Sequence, residues 1–206
     1  KLKSYHQQGY LNIISVHAGL EHVNYPAYHD IQMARQFSKL CPYIYYGHHP
    51  HVLQGIEKYN NSLIAYSLGN FCFDDVYTDK SSAPLVKQSE NNKSSAIVEL
   101  EIIDGKLVSD KVTSLYMSEN SLEINSFNIE KQLKKYTEFL TINKEEYNQN
   151  RNQLLSNYIS QRKSMRDFEW YVKRLNFKSF IILFRAKYNS WRHKKNVLRH
   201  LNGSNE

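Results

Sequence analysis

Two apolar, β-rich runs, residues 11–17 (LNIISVH) and 43–47 (YIYYG), each lead directly into a histidine-bearing segment. Near-continuous runs of this kind fit strands covered on both faces. Between them lies a loop with Pro26. Residues 27–40 follow, with Ile31, Ala34, Phe37, Ser38 and Leu40 near helical spacing, which predicts a helix ending before Pro42. Side chains at the ends of buried strands in α/β folds converge on one crevice, so the histidines are expected to meet.

Further along, residues 52–59 and 62–67 flank Asn60-Asn61, and residues 95–103 and 106–116 flank Asp104-Gly105. Both pairs carry the signature of a hairpin closed by a two-residue turn. The polar stretch 76–94 reads as a loop. From about residue 127 glycine disappears until Gly203 and proline does not return. Helices are predicted over 128–141, 144–163 and 167–200, the last broken near Asn176. This shift in composition places a domain boundary near 118–126, separating 1–118 from a helical extension, 119–206.

The net charge of +7 belongs to that extension. Residues 1–125 hold 10 Lys+Arg against 13 Asp+Glu; residues 126–206 hold 17 against 7. Such asymmetry points to an anionic partner for the C-terminal part. Tyrosine is frequent, at 16 residues, and many of these rings are expected to sit half-buried with the hydroxyl reaching solvent. Cys41 and Cys72 read as two buried free thiols rather than a disulfide framework. The 206 residues contain no signal-peptide pattern and no apolar run long enough to span a bilayer.

Six of the nine histidines fall between residues 17 and 51. The arrangement is His17-x-x-x-Glu21, then Gly47-His48-His49-Pro50-His51. Imidazoles and carboxylates at strand ends are ordinary ligands for zinc, manganese or iron. Two such ions can bind and activate a water and clamp a phosphoryl group. The spacing of His49 and His51, an H-x-H at a strand end, is expected to point both rings the same way. Glu21 suits an orienting or proton-transferring role, and His48 is expected to point away from His49. A lone histidine is more often a satisfied surface or core residue than a ligand. His6, His22, His29, His193 and His200 are read in that way. A third segment, Ser67-Leu68-Gly69-Asn70-Phe71, again follows a predicted strand; its glycine permits close backbone approach and Asn70 can hydrogen-bond within the site.

Taken together, VHAGLEH, GHHPHVLQ and YSLGNF occur in order and resemble the CapA family of bacterial capsule or poly-gamma-glutamate synthesis proteins, over roughly residues 1–118. The resemblance implies a mixed α/β (α+β) fold: the C-terminal part of a calcineurin-like metallophosphatase sandwich, two packed sheets flanked by helices. It implies that His17, His49 and His51 ligate divalent metal (Mn, Zn or Fe, as a dinuclear centre in a complete domain). Glu21, His48 and Asn70 become the candidates for catalytic roles. The family's Gly-Asp strand end and Asn-Asn-His motif, which supply further ligands, do not occur in this chain. The expectation is therefore a portion of a longer bacterial protein, cytoplasmic or peripheral to the membrane.

On this reading the leading function is a metal-dependent hydrolase of capsule or anionic-polymer biosynthesis, acting on an anionic polymer or a phosphorylated small molecule. The rival is a non-catalytic scaffold of polymer synthesis or export. Residues 177–201 bear on that choice. They interleave Phe177, Phe180, Ile181, Phe184, Tyr188, Trp191 and Leu198 with Lys178, Arg185, Lys187, Arg192, Lys194, Lys195 and Arg199. A basic amphipathic helix reads either as an anionic-membrane surface segment or as a helix packing its apolar face on the first domain. No recognition motif supports nucleic acid as a partner.

Overall fold

The computed structural model describes residues 1–78, 81–118, 121–164, 181 and 184–192. A first compact unit covers Lys1–Gln153. Its central sheet contains β1 (Asn12–His17), β2 (Tyr43–His48), β3 (Ile56–Tyr59) and β4 (Ser62–Ala65), in the order β1-β2-β4-β3. β1, β2 and β4 run parallel, and β3 returns antiparallel on β4. A two-stranded ribbon follows, β5 (Val76–Thr78) and β6 (Ser81–Val86). A second sheet, ordered β7-β8-β9, is formed by Ser94–Ile103, Lys106–Met117 and Leu122–Ile124. The helices of the described residues include α1 (Leu2–Gln7), α2 (Tyr28–Ser38), α3 (Phe127–Phe139) and α4 (Lys144–Ser164). The expected mixed α/β architecture, sheets packed together with flanking helices, is what forms.

The layering follows from side-chain alternation along the strands. Ile44 of β2, Ile56 of β3 and Leu63 and Ala65 of β4 face the second sheet and pack on Val98, Leu100 and Leu107. Tyr43, Tyr45, Ile64 and Tyr66 face the helices and pack on Ile31 and Ala34 of α2, Leu140 after α3, and Tyr147 of α4. β1 lies at the sheet's margin with alternate residues exposed. It is therefore not the doubly covered strand its composition predicts: Ile14 and Val16 pack inward, while Ile13 is 59% exposed.

The inner layer on the helical side is unusually phenolic. Tyr43, Tyr45, Tyr66 and Tyr147 are all buried. Three of these hydroxyls turn to protein acceptors instead of solvent. Tyr43 donates to the Ala34 carbonyl, Tyr66 to Glu57 Oε1 and Tyr147 to the Pro26 carbonyl. Burial in turn raises the tyrosine pKa values, to about 12 for Tyr45, where a nearby Asp30 charge adds to the effect of desolvation.

Several expectations need correction. The first unit does not end near 118–126. Ile129, Leu140 and Tyr147 are buried in its core, so α3 and the start of α4 belong to it. The 76–94 stretch is not plain loop, for it contains β5, β6 and a 3-10 turn, Glu90–Lys93. Leu40, just past α2, is 45% exposed. Cys41 and Cys72 are both free, but only Cys41 is buried.

The second unit, Leu154–Glu206, contains the end of α4, and residues 184–192 within it are helical. Phe184, Tyr188 and Trp191 are exposed there, as is Ile181. Phe177, Phe180 and Leu198 lie outside the described residues. Among the described residues no helix is long and apolar enough to cross a membrane.

Candidate metal centre

Because β1, β2 and β4 are parallel, His17, His48 and the Ser67–Asn70 segment all leave the central sheet at its carboxyl edge. His17 and His48 are direct partners in the β1–β2 register. This is the crevice position expected for a ligand in an α/β sheet.

After His48 the chain turns sharply. His49 and His51 have φ of 101° and 59°, a region uncommon for residues with a side chain. Their rings come together, with centroids 6.0 Å apart, through this turn and not through strand alternation. The turn is tied to the β1 loop by backbone bonds: Ala18 N–H donates to the His48 carbonyl at 3.2 Å, and His22 N–H to the Pro50 carbonyl at 2.7 Å. That second bond carries Glu21 towards the histidines. Ligand atoms of Glu21, His49 and His51 all lie within 4.8 Å of one another.

One carboxylate oxygen and two imidazole nitrogens are a donor set that suits a borderline divalent ion such as zinc, manganese or iron. The support behind His51 fits as well. Its Nδ1 lies 2.9 Å from Asn70 Oδ1. The amide oxygen only accepts, so Nδ1–H donates and Nε2 keeps its lone pair for a ligand. Asn70 is 6% exposed and its segment is fixed by a bridge from Gly69 to Ser95 of β7. Glycine is required at 69: φ is +76°, and a Cβ would stand 2.4 Å from the Ser94 carbonyl oxygen.

His17 stands beside this trio. Its ring lies 4.4 Å from that of His49, and its Nδ1 is 2.9 Å from His48 Nδ1. His48 Nε2 in turn meets Ser15 Oγ at 3.0 Å. One imidazole must donate and the other accept, with the serine hydroxyl serving either sense. His48 thus faces His17. Desolvation by the crowded rings, then the charges of His49, His48 and His51 when protonated, hold the His17 pKa below the ordinary histidine value.

Ser15, which meets His48, and two further participants were missed in the sequence. His22 was read as an incidental histidine, yet its Nε2 lies 4.0 Å from Glu21 Oε2. Its position next to Glu21 was the available signal. Asn92, in the 3-10 turn before β7, donates to the His51 carbonyl at 2.8 Å. Nothing in the polar 76–94 stretch distinguished it from its neighbours.

With this geometry in place, comparison with known proteins is informative. Residues 1–75 match the family model described as bacterial capsule synthesis protein PGA_cap. The PGA biosynthesis protein CapA of Bacillus subtilis is 39% identical over 92 residues, 45% of this chain and 24% of that protein. The capsule biosynthesis protein CapA of Bacillus anthracis is 34% identical over 90 residues, 44% of this chain and 22% of that protein. An uncharacterised protein of Sinorhizobium fredii, y4sH, is 45% identical over 53 residues, 26% of this chain and 12% of its own length. The resemblance read from the three motifs is thus borne out, and the matched relatives are bacterial. The match spans about a quarter of the length of the two CapA proteins.

Proposed function

We propose that this chain contributes the histidine-rich half of a metal-dependent hydrolytic centre in capsule or anionic-polymer biosynthesis. The observation that carries the reading is the convergence of Glu21, His49 and His51 ligand atoms within 4.8 Å at the carboxyl edge of parallel strands. Glu21, His49 and His51 would hold the ion, with His17 positioned to join them or to face a second ion. A divalent cation so held supplies Lewis acidity towards a phosphoryl or acyl oxygen. Asn70 keeps the His51 ring in the ligating tautomer. His48 and Ser15 give His17 a hydrogen-bonded relay through which a proton can be accepted or returned. The fitting substrate class is an anionic polymer or a phosphorylated small molecule. The biosynthetic setting comes from the names of the Bacillus relatives.

Isothermal titration of the chain with Mn²⁺ and Zn²⁺ tests the reading. Wild type should bind, and His51→Ala should lose about tenfold or more in affinity, at least the loss typical of removing a supporting residue. Equal binding by wild type and a His49→Ala/His51→Ala double variant would overturn it.

A second reading, a scaffold held at an anionic membrane surface, is favoured by one observation. Phe184, Tyr188 and Trp191 are exposed in a helical stretch that also carries Arg185, Lys187 and Arg192. The two roles are compatible within one protein.

A further inference from the structure

Asn92 is 5% exposed and comes from a part of the chain far from the histidine motifs. Its side-chain amide is fully used. Oδ1 accepts from Ser89 N–H at 3.3 Å and from the Ser89 hydroxyl. Nδ2 donates to the His51 carbonyl at 2.8 Å and lies 3.0 Å from His22 Nδ1. A primary amide offers two N–H donors and no nitrogen lone pair. The contact with His22 therefore requires Nδ1 to accept, which places the neutral ring's proton on Nε2. That nitrogen is the one facing the Glu21 carboxylate, at 4.0 Å.

We propose that Asn92 is a positioning residue for the Glu21, His49 and His51 cluster. It acts in two directions from one amide. Through the His51 carbonyl it holds the left-handed turn that points His51 into the cluster. Through His22 it turns the Nε2–H towards the Glu21 carboxylate, which positions that side of the cluster. The Ser89–Asn92 capping box fixes the amide's orientation, so neither donor can turn away without unmaking the 3-10 turn. The ligand-holding consequence rests on the metal reading above; the His22 tautomer does not.

The test uses the 206-residue chain with ¹⁵N-labelled histidine. A long-range nitrogen–proton correlation on metal-free wild type should show His22 protonated at Nε2. Asn92→Asp replaces the donor with an acceptor, so His22 should switch to Nδ1–H. Mn²⁺ affinity by titration should fall about tenfold in Asn92→Asp and in Asn92→Ala, the scale typical of losing a supporting hydrogen bond. Asn91→Ala, at an exposed neighbour, should bind as wild type. A wild-type His22 protonated at Nδ1 overturns the proposal, and that measurement needs no variant to fold. Folded Asn92 variants that bind Mn²⁺ as wild type does also overturn it. If wild type itself fails to bind metal, the metal reading falls, and the switch in Asn92→Asp still decides whether Asn92 sets the ring.

Discussion

At the residue scale, the histidine motif depends on a position with no side chain. A Cβ at Gly47 would lie 2.0 Å from the Tyr66 carbonyl oxygen, because β2 and the end of β4 come together there. The contact is backbone, so rotamer changes cannot relieve it. Gly47→Ala should lower stability by roughly 3 kcal/mol, the upper part of the usual mutational range; urea unfolding measures this, and a change under about 0.5 kcal/mol would show that β2 has room. The same residues show how far the sequence could be read. His49 and His51 were recognisable as a pair, but the reason differs: strand alternation was expected, and two left-handed residues do the work. Backbone conformation of that kind is set by bonds from Asn92 and the β1 loop, which are remote in sequence. Asn92 itself was illegible for that reason.

At the scale of elements, the two hairpins were legible because their turns are chemically explicit. Asn60 and Asn61 have φ of 46° and 58°, and Asp104 and Gly105 have 49° and 69°. These are the positive values that a two-residue hairpin turn demands at both positions. The β5–β6 ribbon was not legible, since neither strand alternates clearly and no turn signal joins them. The clamp between elements also left no pattern. Arg35 of α2 forms a two-pronged pair with Glu57 of β3, at 3.0 and 2.6 Å, and donates to the Leu140 carbonyl after α3. The Glu57 side chain is 9% exposed and also accepts from Tyr66. Arg35→Met keeps much of the packing volume but strands the Glu57 carboxylate, so stability should fall by about 3 kcal/mol. The double variant Arg35→Met/Glu57→Gln should recover part of that loss in a thermal melt; no recovery would mean the arginine acts through packing alone.

At the scale of the molecule, sequence composition exposed the contrast between an acidic N-terminal region and a basic C-terminal one, but misplaced the structural limit. Composition changes near 118–126, whereas the first unit extends to Gln153. The discrepancy arises because α3 has a polar outer face while burying Ile129 in the core. The membrane reading belongs to this scale. Co-sedimentation with anionic vesicles should exceed that with neutral ones and weaken with salt, since exposed charges are screened within about 10 Å at ~0.1 M ionic strength. Lys194→Glu/Lys195→Glu should reduce it; equal sedimentation of variant and wild type would assign the tail to protein packing instead.

The phenolic inner layer has an optical consequence. The first unit is rich in buried tyrosine, while both tryptophans, Trp170 and Trp191, fall after Gln153. Selective excitation of indole therefore reports only on the second unit, and tyrosine absorbance is dominated by the first. Intrinsic fluorescence and ultraviolet difference spectra can follow the two units separately in one unlabelled sample.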